Sequence, residues 1–419
     1  MSGSNTPATP SPSPTPPHEL AVAHKLPPDV LALVAKHLTL DTSEHRHHTF
    51  EDRRRDARSF ARVCKAWQAA GTAAAWREVE LLDYTSSPVI KHLEAHPKLY
   101  KHVESFSVDL QHLLQWHDGV TSPTFITSCP RLSRLELHGR YQPGPEFKVL
   151  QDKVDLCNLL EVVLIVYAPY TWYTRSGAVD RVVSPALLFA FLRTCINVRR
   201  FTYDGDQACI NEAVEAPRGR RIKVDWLTLD IKNSDTNSET DRRSACLRSR
   251  FLLQFDLARL LIFKAHVSLR DDDILIALGR MVNLETLRLV NDHELDVAAI
   301  DALSVLLVRL VKLRDINVSA APEAECPTSA AVLEAVKRLV DALPASVERL
   351  TLSVPLPEPF AEALLEERDG LEHLLARVYD PLDVRPETRE MHWRKTVEPV
   401  YESADDLGEL EEEGEGEGL

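Results

Sequence analysis

Glycine is scarce in this chain, at 14 of 419 residues. Phosphate-cradling loops need glycine for close backbone approach. No Walker loop, GxGxxG, nucleophile elbow or kinase signature occurs. An enzyme is therefore not expected, nor is a bound cofactor. Aromatics make up only 6 % of the chain, so aliphatic side chains must fill the core. The seven cysteines stand at 64, 129, 157, 195, 209, 246 and 326 and include no CxxC. Their odd number and wide spacing argue against a secreted disulfide framework, and several read as buried thiols. No apolar run approaches the ~18–20 residues that cross a bilayer. The N-terminus lacks the basic start and apolar core of a signal peptide. These absences point to a cytoplasmic or nuclear protein.

Positive charge is also outweighed. The net charge is −15, which argues against nucleic acid as the main partner. Much of it is local: residues 402–419 hold nine acids and no base, and without them the charge falls to −6. Such a run reads as a solvated, disordered end (401–419). Residues 1–24 open on a Ser/Thr/Pro-rich tail that buries too little to order itself. Thr6, Thr9, Ser11, Ser13 and Thr15 each precede a proline. That pattern is either a proline-directed phosphorylation array or a low-complexity linker.

What is present begins at residue 25. Pro27 and Pro28 suit a helix start. Val30, Val34 and Leu38 share one face by i, i+4, i+8 spacing, with Leu31 and Leu33 flanking it. A polar insertion spans 41–58. A second helix then carries Phe60, Val63, Cys64 and Trp67, and a third segment ends in Trp76 and Val79.

Beyond residue 100 the chain repeats itself, as apolar-x-x-apolar-x-apolar. The units are Val103-Phe106-Val108, Leu132-Leu135-Leu137, Leu159-Val162-Leu164, Val198-Phe201-Tyr203 and Val224-Leu227-Leu229. They continue as Leu257-Leu260-Ile262, Leu284-Leu287-Leu289, Leu313-Ile316-Val318 and Val347-Leu350-Leu352. A period of roughly thirty residues signals a solenoid. Each unit predicts one short strand whose last two apolar residues point inward. Helical patterns lie between, opened by caps at Ser184-Pro185, Asp296 and Thr328-Ser329. Asp271-Asp272-Asp273 reads as a helix N-terminus rather than as a site.

Two resemblances follow. CPRLSRLEL, MVNLETLRL and ASVERLTL resemble leucine-rich repeats, although the consensus asparagine ladder is mostly missing. Residues 25–81 resemble an F-box, through Leu26-Pro27, Asp29, Val30, Leu31, Val34, Leu38, Val63, Cys64-Lys65, Trp67 and Trp76. The insertion at 41–58 departs from that pattern. The resemblance implies a three-helix module that docks on the Skp-type adaptor of a Skp–cullin–F-box ubiquitin ligase. Leu26, Pro27, Val30, Leu31, Val34, Leu38, Val63, Cys64, Trp67 and Trp76 would form the contact. The expected fold is an α/β solenoid over 82–380, an arc with strands on its concave face and helices outside. The small all-α module precedes it, and a C-terminal extension (381–400) and the acidic tail follow. The alternative is a plain interaction scaffold whose N-terminal helices only cap the repeats.

Strand positions flanking the inward pairs should form the substrate face. Arg134, Arg200, Trp226, Arg259, Phe263 and Arg288 are the candidates, since Arg and Trp dominate interfaces. Tyr170 and Trp172, in an aromatic loop past the third strand of the array, form a second candidate. His45, His47 and His48 invite a metal, but Arg46 and Arg53–Arg55 repel a cation, and no metal is expected. His92 and His96 share a helical face without the HExxH spacing.

Overall fold

A computed structural model describes residues 26–37, 50–81, 87–109, 128–139, 158–166, 185–206, 220–232, 249–291, 295–320, 329–378 and 389–394. The Ser/Thr-Pro segment, Leu38, the His45–His48 cluster, Tyr170, Trp172 and the acidic tail lie outside them.

The chain is α/β. Among the described residues twelve strands form one sheet whose spatial order equals their order in sequence. They are β1 (Glu78–Leu81), β2 (Ser105–Asp109), β3 (Arg134–Gly139), β4 (Glu161–Val166), β5 (Arg200–Asp206) and β6 (Trp226–Lys232). The second half comprises β7 (Ile262–Val267), β8 (Thr286–Asn291), β9 (Asp315–Ala320), β10 (Arg349–Pro355), β11 (His373–Val378) and β12 (Arg389–Arg394). The first eleven run parallel and β12 closes the edge antiparallel to β11.

Ten helices are described. Three precede the sheet: α1 (Pro28–His37), α2 (Phe50–Val63) and α3 (Lys65–Ala75). The others lie between strands: α4 (Ser87–Ala95), α5 (Pro185–Thr194), α6 (Ser249–Leu252), α7 (Asp272–Leu278), α8 (Val297–Leu307), α9 (Ala330–Ala342) and α10 (Glu358–Glu367). Three of the strand-to-strand helices start on side-chain caps. Asp271 accepts from Asp273 and Ile274, Asp296 from Ala299, and Ser329 from Val332. Each cap satisfies helix N–H groups that have no intrahelical acceptor.

The apolar-x-x-apolar-x-apolar unit explains the sheet. Its three apolar side chains are buried in eight of the nine predicted units. The first closes the turn before the strand, and the next two alternate inward on it. Residues between them face the opposite side, where all but the buried Val163 are polar and part-exposed or exposed. The units lock through one backbone contact. The carbonyl of Arg77 accepts both Glu104 N–H (2.8 Å) and Ser105 N–H (3.0 Å). The same shared acceptor recurs at Glu104, Ser133, Leu160, Arg199, Asp225, Leu261, Glu285, Arg314 and Glu348. Each carbonyl binds the two residues that open the next strand. Buried polar side chains finish the turns: Asn291 Oδ1 accepts from Leu269 N–H at 3.0 Å, and Ser353 Oγ from Ala320 N–H at 2.6 Å.

One unit is corrected. Leu257-Leu260-Ile262 is not the strand motif; Leu260-Phe263-Ala265 is. Phe263 pairs with Leu227 and Ala265 with Leu229, and Phe263 is 0 % exposed. Leu257 sits instead in a short 3-10 turn, Leu257–Arg259. The register therefore starts three residues later, which turns Phe263 inward and Lys264 outward. A tenth unit, Leu371-x-x-Leu374, carries β11, and its two leucines are buried.

Cys129 and Cys195 are buried thiols, and burial pushes Cys129 up to about 12. Among the described residues no helix is long and apolar enough to cross a membrane.

The corrected register makes opposite predictions for adjacent residues. Phe263→Ala should lower the free energy of unfolding by about 3–5 kcal/mol. Lys264→Ala should change it by about 0.5 kcal/mol or less. Equilibrium denaturation of both variants checks this, and a larger loss from Lys264→Ala than from Phe263→Ala would restore the uncorrected register.

Candidate docking surfaces

Two surfaces emerge from this scaffold. The first is on α1. Leu31 (3 % exposed) and Ala35 lie one turn apart and pack with Phe60 against Trp67, Ala70 and Ala74. The Phe60 and Trp67 rings stack at 4.4 Å between centroids. That contact turns the other side of α1 to solvent: Leu26 is 36 % exposed, Val30 37 %, Leu33 57 % and Val34 41 %. Val30, Leu33 and Val34 share a face by i, i+3, i+4 spacing. Pro27 is exposed and Val63, at the end of α2, is 49 % exposed.

The predicted contact set therefore divides. Leu26, Pro27, Val30, Val34 and Val63 are accessible, and Cys64 and Trp67 are half-buried. Leu31 and Trp76 are core residues, which corrects their assignment to a contact surface. The reason for Leu31 is spacing: it pairs with Ala35, and the two face Phe60 together. Trp76 joins the main core with Ala57 and Ala75. The Arg54 guanidinium lies 4.0 Å from the Trp76 ring centroid, and the His92 ring stacks parallel to that ring at 5.2 Å. His96 stacks in turn on His92 at 4.3 Å. Leu33, expected to flank the apolar face, is the most exposed large apolar residue of α1. The insertion is also shorter than expected as a loop, because α2 already begins at Phe50 and buries Ala57 completely.

The second surface is the open side of the sheet. Strand register aligns Arg134, Glu161, Arg200, Trp226, Ile262, Thr286, Asp315, Arg349 and His373 in one row across it. Every candidate arginine on it is engaged. Arg134 donates to Glu136 at 2.8 Å. The Arg200 guanidinium lies 4.7 Å from the Trp226 ring centroid, and Trp226 Nε1 donates to Thr228 at 2.9 Å. Arg288 and Arg349 both reach Asp315, at 3.5 and 3.3 Å. Arg259 leaves the row for the turn before β7, where it donates to Asp225 at 2.7 Å. Phe263 is buried on the other side and drops out. Lys264, exposed beside it, takes its place. A charged residue in a supposed inward position was the available signal.

The open face is polarised. On β1–β6 it presents Glu78, Glu80, Asp109, Glu136, Glu161, Asp204 and Asp230 against Arg134 and Arg200. On β7–β10 it presents Lys264, Arg288 and Arg349 against Asp315. Glu136 anchors the acidic half. His138 Nε2 lies 2.6 Å from its Oε1. That hydrogen bond, with the charges of His138 and Arg134, holds the Glu136 carboxyl below the usual range, although burial pushes the other way.

No protein-family model matches this chain, and no curated protein is similar to it in sequence.

The depressed Glu136 carboxyl makes stability pH-dependent. Its contribution is complete above the unfolded value of about 4.3 and is lost as pH falls through the lower folded value. Glu136→Gln should therefore destabilise the chain at pH 7, with the gap closing on acidification below that range. Thermal melts of both proteins at several pH values test this; a gap that widens toward acid would contradict it.

Proposed function

We propose that this chain is the non-catalytic substrate receptor of a Skp–cullin–F-box ubiquitin ligase. The observation that carries the reading is the apolar side of α1. A helix that buries Leu31 and Ala35 while exposing Val30, Leu33 and Val34, with Leu26 exposed just ahead of it, presents a surface that a partner helix can cover. This strip coincides with the Leu26-to-Val34 stretch that resembles an F-box. The stacked units behind it form an α/β solenoid whose strands line the concave side, in the manner of leucine-rich repeats. That side holds the substrate. Its two-signed charge suits a protein segment that is basic where it meets β1–β6 and acidic where it meets β7–β10. Holding the target near ubiquitin chemistry supplied by other subunits is the whole of the catalytic contribution.

A second reading has its own support. Ala57, Ala75 and Trp76 lie in the same core as the sheet, as expected of helices that cap a repeat stack. On that reading α2 and α3 shield β1, and α1 has no partner to meet.

Pull-down with a Skp-type adaptor separates the two. The wild-type chain should retain the adaptor, and Val30→Asp with Val34→Asp should weaken retention by about tenfold or more, because charges then enter a desolvated contact. Both positions are solvent-exposed, so the melting profile should stay unchanged. Absent binding, or equal binding by the variant, would leave the capping scaffold as the function.

A further inference from the structure

Helices α7 and α8 carry a surface that neither docking face explains. They bury Ile274, Ala277, Leu278, Leu303, Leu306 and Leu307 in the main core. Their other side, with the turns that follow, exposes Ile276, Val282, Val305, Val308 and Val311. Among the described residues, five of the eight exposed large apolar side chains outside the three-helix module sit on these two units. Val305 (68 %), Val308 (63 %) and Val311 (64 %) are each more exposed than Leu33 of α1 (57 %). They fall into one patch because the two units are in step. Val282 and Val311 stand two residues ahead of Leu284 and Leu313, and Ile276 and Val305 stand eight ahead. The strands that follow pair Thr286 with Asp315. Lys312 Nζ donates to Asn283 Oδ1 at 2.8 Å and ties the two turns together. Clustered aliphatic surface on the order of a few hundred Å² marks a contact site in a monomer.

Positive charge runs through the patch. Arg280, Arg309 and Lys312 are exposed among its apolar side chains. Arg309 crosses the seam between the helices: a Cβ on Gly279 would stand 3.4 Å from its Nη1 and 3.5 Å from its Cδ. Among the described residues Arg280 and Arg309 have no carboxylate partner. The nearby acids are engaged or set apart. Asp301 is held by Arg338 at 2.8 Å, Asp271 caps α7 at the end away from Arg280, and Asp341 belongs to the next helix, α9. A second copy on this patch would set its cations against their own kind across a two-fold interface. The matching occupant brings aliphatic side chains and acids together.

One segment of this chain has that composition. Residues 405–413 read DDLGELEEE, with six acids and no base around Leu407 and Leu410. The chain also leaves the sheet at the right edge. Because β12 runs antiparallel, its last residue, Arg394, lies opposite His373 where the parallel strands begin. Val282 and Val311 stand on that same edge, just ahead of β8 and β9. The register runs Arg394, His373, Arg349, Asp315, Thr286. At about 4.8 Å per strand, β9 and β8 are therefore about 14 and 19 Å from Arg394. The chain from Arg394 to Leu407 spans up to about 43 Å when extended. Such a tether holds the segment at an effective concentration on the order of millimolar, so even a contact of modest affinity is filled. We propose that residues 405–413 dock on the α7–α8 patch of the same chain, with the leucines on the valines and the acids toward Arg280, Arg309 and Lys312. The docked segment shields the patch from solvent. This contact is independent of the adaptor contact on α1.

The test uses a fluorescent peptide of residues 401–414 and the full-length chain, read by anisotropy at fixed salt. Leu407→Asp with Leu410→Asp in the chain releases its own segment. That variant should bind the peptide about tenfold or more tighter than the wild-type chain, whose segment competes. Adding Val305→Asp with Val308→Asp to it should abolish the uptake with circular dichroism unchanged, since both valines are exposed. Adding Arg280→Glu with Arg309→Glu instead should weaken uptake about tenfold. Equal uptake by the wild-type chain and the released variant overturns the proposal, because the patch is then open. So does no uptake by the released variant, or uptake indifferent to the valine or the arginine substitutions. Self-association of the wild-type chain in sedimentation, abolished by Val305→Asp with Val308→Asp, would make a second copy the occupant and overturn it as well.

Discussion

One carbonyl per unit accepting two N–H groups from the next is the contact on which the molecule depends. A parallel strand offers slanted, evenly spaced hydrogen bonds, and its neighbour must arrive in a single register to use them. The shared acceptor, repeated from Arg77 to Glu348, fixes that register at each strand entry. Once it is fixed, inward apolar side chains stack on inward apolar side chains: Phe106 on Leu135, Leu137 on Leu164, Phe263 on Leu287. A one-residue slip would turn every such pair to solvent. The open face follows as a consequence. Arg134, Glu161, Arg200 and Trp226 form a row because the core behind them tolerates no other register.

The same logic joins the N-terminal helices to the sheet without absorbing all of them. Ala57, Ala75 and Trp76 enter the main core, so α2 and α3 are continuous with the sheet. Leu31, Ala35 and Phe60 make a smaller core of their own. A core that small engages one side of α1 and leaves the rest uncovered. The close crossing of α2 and α3 reinforces this: a Cβ on Gly71 would stand 2.7 Å from the Ala61 backbone. The exposed strip on α1 is thus a product of how little the module can bury.

Much of this was legible in the chain. Eight units were read in register, because one apolar spacing serves both turn and strand. The caps at Asp296 and Ser329 were legible too, since short polar side chains ahead of an apolar period have one use. The unit near residue 260 was misread because Leu257, Leu260 and Ile262 also fit the spacing, and the 3-10 turn that consumes Leu257 leaves no periodic mark. Helix α2 was placed late because its first turns are almost wholly polar, and Ala57 is the first described residue to mark a buried side, ahead of Phe60. Leu31 and Val30 were not separable, as adjacent aliphatics on a helix that buries only two positions carry equal hydropathy. The β12 strand, REMHWR, has alternation too weak to stand out, and its pairing depends on β11 being present.

Hydrogen–deuterium exchange on the full chain, with and without a Skp-type adaptor, tests the account most directly. It predicts new protection concentrated in Pro28–His37, with the amides of the parallel strands unchanged. Protection of the strands with α1 unaltered would contradict it, and so would no protection at saturating adaptor.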